Sequence, residues 1–384
     1  MAEPFDVLVV GAGINGLSAL YHLSRRCSRV GLVEQYRLGH ERGSSHGHSR
    51  ITRVTYSDPK YVALAHRAQT QDWPGLEAEC SQQLLIPCEG CYFGPGIRPF
   101  MDALEQVPPA RQMVEVLTPK EARGRFAPFP FKDSESVVVD HSGGLLAAAR
   151  ILDALAALAR SRGAEILEET AVQELELEPD PMLVRTNRGE LRCRRLVIAA
   201  GPWTSRWIPP LREHLRVTRQ VIGYFRPEGP AERWQPGSFP VWVRIGRSPE
   251  DFFYGLPEFG RPGLKLARHN TTRAIANADA VAFPTPDEIG ELQDFLREHL
   301  GLPTVTFEGA ENCLYTNAPG ENFVLAALPG NERVVVASGF TGHGFKFGPV
   351  TGAILSDLVL EGGCDIPEFA RYQEDFAFPR VLEV

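Results

Sequence analysis

Asp6-Val-Leu-Val-Val10 runs directly into Gly11-Ala-Gly13-Ile-Asn-Gly16, and no other stretch of the 384 residues limits the fold as strongly. A short unbroken apolar run suits a strand buried on both faces of a parallel sheet. Leu17, Leu20, Tyr21 and Leu23 then give a helical stripe, and Val30-Gly-Leu-Val33 supplies a second strand that ends at Glu34. Strand, tight turn, helix and strand in that order form a βαβ unit. Gly11 allows the turn, Gly13 lets backbone approach a pyrophosphate, and Gly16 permits close helix packing. The helix amino terminus then faces the phosphates, and Glu34 stands where a carboxylate can accept hydrogen bonds from a ribose. The unit reads as a dinucleotide site rather than a ligand-free glycine-rich turn.

An acid at the ribose suits NAD or FAD, and a single complete fingerprint gives no reason to expect a second nucleotide. α/β character returns twice. Leu145 to Arg160 reads as a helix, 164–168 and 171–177 as strands, and Arg195 to Ala200 as a buried strand ending in Gly201-Pro-Trp203. Later come the strand Val334–Ala337, a glycine-rich turn from Gly339 to Gly344 and a helix from about Pro349 to Leu360. These pieces predict one discontinuous Rossmann-like domain over 1–85, 141–216 and 311–384, an arrangement that favours FAD. Residues 86–140 and 217–310 are richer in Pro and aromatics, with runs such as Val217–Phe225, Pro240–Ile245 and Phe252–Leu256. That texture predicts a second, substrate domain with an antiparallel sheet and helices on one side. The expected fold class is therefore α/β plus α+β.

Composition removes several other functions. A formal charge of −8 argues against a broad nucleic-acid surface. No apolar stretch approaches the roughly 20 residues needed to cross a bilayer, so no membrane partner is expected. Met1 to Pro4 leave no room for a secretory leader, and Arg380–Val384 carries no peroxisomal or retention tripeptide. Seven scattered cysteines are not a disulfide framework, and a reducing cytoplasm is the simplest setting. Cys88-Glu-Gly-Cys91 lacks a second ligand pair for zinc and falls in strand-like sequence, so these read as structural thiols and no metal is expected.

Several motifs are more specific than the glycine fingerprint. They are VVGAGINGL near the start, RGSSHGHSRITR at 42–53, AAGPWTSRW at 199–207, YGLP at 254–257, GLKLARH at 263–269, ENCLYTNAPGENF at 311–323 and GFTGHGFKFGPVTG at 339–352. On these the chain resembles the monomeric sarcosine oxidase family of flavoproteins, which includes N-methyltryptophan oxidase and L-pipecolate oxidase. The likeness spans nearly the whole length. The last two motifs are closer to the pipecolate branch.

The resemblance implies FAD joined through its 8α-methyl group to Cys313, since a thiolate can add to the electrophilic quinone-methide tautomer of the flavin. It implies that Arg53 and Lys346 hold the substrate carboxylate and that Lys265 promotes the reaction with oxygen above flavin N5. His269, Tyr254 and Tyr315 would line the substrate pocket, with Trp242 and Val243 in a wall strand. His46, Ser49 and Arg50 would pass beside the flavin, Arg50 stacking over it. At position 48, often acidic in sarcosine oxidases, this chain has His48, which leaves the charge balance around Arg50 open. Further cofactor contacts are expected from Ile14, Asn15, Gln35, Arg42, Ser44 and Ser45. Val172, Ala200, Gly201 and Trp203 are expected at the nucleotide end, and Gly342, His343, Gly344, Phe345 and Lys346 at the carboxyl-terminal turn. That turn precedes a helix, so its N–H groups could stabilise developing negative charge.

Of the 40 Lys and Arg residues only five are lysines: Lys60, Lys120, Lys132, Lys265 and Lys346. Two of the five fall inside the motifs, where a surface role would have accepted arginine. The implied activity is an FAD-dependent oxidase of secondary amino acids, such as sarcosine, N-methyl amino acids or pipecolate- and proline-like substrates. A hydride would pass from the amine carbon to flavin N5, with O2 then reduced to H2O2. The alternatives are a dehydrogenase serving a protein or quinone acceptor, and a flavin-binding module without turnover. A monomer acting on a small amino acid and O2 is expected.

Overall fold

The computed structural model describes residues 3–248, 251–269, 271 and 273–379. The reading of Arg380–Val384, and part of that of Met1–Pro4, lies outside the described residues.

The amino-terminal unit forms as its sequence dictates, with strand Phe5–Val10, helix Ile14–Leu23 and strand Val30–Val33 in parallel register. Phe5–Val10 is flanked by Val30–Val33 on one side and Gly189–Ile198 on the other, both parallel to it. Buried on both faces, it has Val7, Leu8 and Val9 fully sequestered. The eight-stranded sheet is completed by Glu165–Leu167, Met182–Thr186, Val172–Glu176, Asn331–Ser338 and Val324–Leu328. Helices Gly348–Glu361 and Ala148–Ser161 pack against helix Ile14–Leu23, which brings the late segments of the chain onto the first unit. The fold is a Rossmann-like α/β body joined to a second sheet.

That second sheet also has eight strands, in the order Val305–Asn317, Arg216–Pro227, Leu264–Arg268, Phe252–Leu256, Val241–Ile245, Gly90–Phe93, Val137–Asp140 and Val114–Leu117. It is mixed, not wholly antiparallel as the sequence suggests. Val241–Ile245 pairs in parallel with Gly90–Phe93 because the two arrive from distant parts of the chain instead of through a hairpin. One face carries an aromatic core in which helix Pro286–His299 presents Phe295 to Trp242 and Phe253. Thr285 and Glu288 cap this helix reciprocally. The opposite face, with Ile222, Tyr224, Tyr254, Ala267, Cys313 and Tyr315, is turned to the Rossmann-like body.

Two expectations need correction. Leu145–Ala147 belongs to a strand, Gly144–Ala147, which pairs with both Ser49–Thr52 and Leu85–Pro87, and the helix begins only at Ala148. Two pairing partners outweigh local helix propensity there. The boundary at 311 cuts through the strand Val305–Asn317, which lies wholly in the second sheet and pairs with Arg216–Pro227 from Asn317↔Arg216 to Val305↔Pro227.

Candidate active site

A cavity runs from the turn after the first strand to the inner face of the second sheet. At its first end Gly11 has φ +100°, and a Cβ there would stand 2.6 Å from the Ala199 carbonyl oxygen. Only glycine meets both conditions. Gly13 caps helix Ile14–Leu23 without a side-chain bond, and the first turn carries no acid, so the positive end of the helix dipole is open to an anion. Ser45 comes across to accept the Ile14 N–H at 3.1 Å, and the buried Asn15 Oδ1 has no partner among the described residues.

Glu34 is buried and held by N–H donors from Ala12 (2.8 Å) and Tyr36 (3.0 Å). A carboxylate offers about four acceptor sites, so capacity remains for a ribose. Gln35, Val172, Ala200, Gly201 and Trp203 complete this end. Two residues of the motifs at this end do not line the cavity, Gly16 because it serves the helix packing its spacing implies. Gly16 packs under the Gly11 carbonyl, where a Cβ would stand 1.9 Å away, and does not line the cavity. Arg42 is exposed, with its guanidinium over the Tyr36 ring at 5.0 Å.

At the other end four cations converge: Arg50, Arg53, Lys265 and Lys346. Among the described residues none lies within ion-pair distance of a carboxylate. Arg50, on strand Ser49–Thr52, donates to the carbonyls of Ser44, His46 and Ser49. Arg53 is enclosed by the rings of Tyr56, Tyr92 and Phe100 at 4.5, 5.6 and 5.9 Å, and its buried Nη1 has no hydrogen-bond partner among the described residues. Lys346 donates to the His343 carbonyl at 3.0 Å, while its own carbonyl accepts from the Trp73 indole at 2.9 Å. Burial, then Arg53 and Arg50, hold its ammonium well below the usual range. Lys265 donates to the Ser49 carbonyl at 2.9 Å and is only 2% exposed. Burial and then Arg50 bring it down to about 7, against the pull of Glu311. So much buried, unmatched positive charge is costly unless an anionic ligand shares the cavity.

Between these cations lies a neutral patch. His269 Nδ1 is 3.5 Å from the Tyr315 hydroxyl, which is 3.5 Å from that of Tyr254. Burial, reinforced by Arg53 and Lys346, lowers His269 to about 3, so its imidazole is uncharged at neutral pH. His46 is lowered to about 4 by burial and then Arg50, and His343 is depressed by burial and Lys346. Cys313 faces the same space, its Sγ 3.8 Å from the Ser44 carbonyl. Burial raises its thiol pKa, with Arg50 and Lys265 pulling the other way.

A dinucleotide cradle at one end and unpaired cations at the other fit a flavin dinucleotide together with an anionic substrate. The family model for FAD dependent oxidoreductases (DAO) matches residues 6–358. The chain belongs to the FAD-dependent oxidoreductase family. Peroxisomal sarcosine oxidase of Homo sapiens is 34% identical over 369 residues, covering 93% of this chain and 92% of the relative. Monomeric sarcosine oxidase of Bacillus sp. (strain B-0618) is 31% identical over 372 residues, covering 94% of each chain. Among solved structures NikD, an unusual amino acid oxidase essential for nikkomycin biosynthesis, superposes with a TM-score of 0.84 at 25% identity, covering 99% of both chains. The chain is thus a sarcosine oxidase-like FAD-dependent oxidoreductase.

Within this flavoenzyme one expected pocket residue faces the other way. Trp242 is 1% exposed and stacks on Phe295 at 5.9 Å in the aromatic core, because its neighbour Val243 takes the cavity side of the strand. Sequence reasoning did not single out Phe252, Ile222 or Glu311. Phe252 and Ile222 line the cavity, and the Phe252 ring lies 4.9 Å from that of His269. Their alternation with core residues was the available signal. Glu311 opens the 311–323 motif, yet its partners Tyr224 and Arg261 come from other segments. Cys88 and Cys91 are buried in different apolar clusters, Cys88 donating to the Phe239 carbonyl.

Gly342 has φ +75°, and a Cβ there would stand 2.1 Å from the Tyr315 ring. Gly342→Ala should therefore cost about 2 kcal/mol or more through strain and overpacking. Chemical denaturation of the variant beside the parent measures it, and an unchanged midpoint would show that Tyr315 can move aside freely.

Proposed function

We propose that this flavoenzyme oxidises secondary amino acids at the amine carbon, with O2 as electron acceptor and FAD attached through Cys313. The observation that carries the reading is the pair of buried, carboxylate-free cations, Arg53 and Lys346, beside a neutral patch of His269, Tyr254 and Tyr315. Arg53 would take the substrate carboxylate, bidentately if its fork is presented squarely, and Lys346 would add a second charge. The neutral patch offers no anion to hold an ammonium. Two nearby cations lower the amine pKa, so substrate binds as the free amine and no protein base is obligatory. Val243, Ile222 and Phe252 supply apolar walls for the N-alkyl group or ring. FAD, once bound, supplies the two-electron acceptor whose reoxidation by O2 gives hydrogen peroxide. Lys265 would place positive charge where oxygen takes up electrons, which favours oxygen over a protein or quinone acceptor.

An aerobic peroxide assay on purified protein with sarcosine, N-methyl amino acids, pipecolate and proline tests the proposal. Peroxide release that ignores the amino acid would refute it. For the linkage, acid denaturation of the parent should leave yellow colour on the polypeptide. Cys313→Ser should release essentially all of it, and colour retained by the variant would exclude Cys313. The absence of disulfides among the seven cysteines suits a reducing compartment, in keeping with a cytoplasmic monomer.

A further inference from the structure

Glu311 is a carboxylate set behind the cation cluster, on the strand that carries the cavity-lining Cys313 and Tyr315. It shares a face of strand Val305–Asn317 with Cys313 and Tyr315, two and four residues on. Across the sheet Tyr224 lies opposite Lys265, and Ile222 lies opposite Glu311, so one strand separates the acid from the lysine. Glu311 Oε1 accepts the Tyr224 hydroxyl at 2.7 Å, and Oε2 is 3.8 Å from Arg261 Nη1. The Arg261 guanidinium itself lies over the Tyr224 ring at 3.9 Å. From the facing segment Gly47 seats its backbone on this acid: a Cβ there would stand 3.2 Å from Glu311 Oε1 and 3.7 Å from Arg50 Nη1. The neighbouring His48 is exposed and contributes no acid.

We propose that Glu311 is a positioning residue that keeps Lys265 in its ammonium form for the reaction with oxygen. This rests on the oxygen role of Lys265 proposed above. Lys265 is faced by Arg50 and His46 from the Ser45–Thr52 segment, by Glu311 and Cys313 from their strand, by Tyr224 and Tyr254 from the two adjoining strands, and by Arg261 from the loop before it. Burial first, then Arg50 and Arg261, push its proton off, and Glu311 is the largest of the contributions that oppose them. Glu311 is itself lowered: burial pushes it up, but Lys265, the Tyr224 hydrogen bond, His46 and Arg50 outweigh that. The Tyr224 bond to Oε1 and the Arg261 contact to Oε2 together fix the orientation of the carboxylate.

With only five lysines in the chain, 13C-lysine-labelled holoenzyme lets Lys265 be followed directly by NMR, its resonance identified by its loss in Lys265→Met. In Glu311→Gln the Lys265 titration should move down by about one unit or more. The rate of flavin reoxidation by oxygen at pH 7.5 should fall about tenfold with it, while at pH 5.5 parent and variant converge. Flavin reduction by substrate should stay within about twofold. Glu311→Asp should restore most of the parent profile. An unmoved Lys265 titration, or equal slowing of both half-reactions, overturns the proposal. Should Glu311→Gln not fold, Tyr224→Phe removes one hydroxyl and should move the titration the same way by a smaller amount; no movement is again refutation. If Lys265→Met leaves oxygen reactivity intact while Glu311→Gln still shifts the lysine, the oxygen role of Lys265 is what fails.

Discussion

Lys265→Met is expected to slow flavin reoxidation by oxygen about 10²- to 10³-fold, the range for losing a preorganised charge in a water-poor site, while flavin reduction changes little. Methionine keeps the unbranched stem among the buried residues of strand Leu264–Arg268 and removes only the ammonium that meets the Ser49 carbonyl. The pH dependence carries a sign. Burial and then Arg50 lower Lys265 to about 7, so its charge is present below that value and lost as pH rises through it. The parent's oxygen rate should therefore decline across pH 6–8, and the methionine variant should be slow and flat. Stopped-flow measurement of the two half-reactions over that range distinguishes the cases. A pH-independent parent, or a variant impaired equally in both halves, would be incompatible with the role given to this lysine.

Arg53→Ala should raise KM for amino acid substrates about 100-fold, corresponding to about 3 kcal/mol for a buried charge left without its partner. An amine of similar shape lacking the carboxylate should be almost indifferent to the change. Arg53→Lys should recover only part of the loss, since an ammonium lacks the planar fork. Folding should not confuse the result. Arg53 has no carboxylate partner among the described residues, and its removal relieves repulsion on Lys346. Thermal midpoints measured beside steady-state kinetics check this. Equal loss for substrates with and without the carboxylate would mean that Arg53 serves the architecture and not recognition.

The nucleotide end was legible because its determinants are local. Gly11, Gly13 and Glu34 lie within one βαβ unit, where spacing alone fixes which backbone meets which. At the end where the cations converge, legibility followed strand parity. Tyr254, Lys265 and Tyr315 take the cavity side of their strands, but the choice between Trp242 and Val243 needed the stacking partner Phe295, contributed from over fifty positions further on. Arg42 lies in the 42–53 motif yet is exposed with its guanidinium over Tyr36, a choice of rotamer that spacing along the chain does not fix. Glu311 was opaque for the opposite reason: Tyr224, Arg261, Gly47 and Arg50 converge on it from separate segments, and no window of sequence holds them together.

The ladder between Arg216–Pro227 and Val305–Asn317 bears on recombination. Because the strand bearing Glu311, Cys313 and Tyr315 belongs to the second sheet along its full length, a transplant of a relative's second sheet cannot be cut at 311. Such chimeras should splice beyond Asn317, so that Glu311, Cys313 and Tyr315 travel with the strand Arg216–Pro227 on which their own strand is paired.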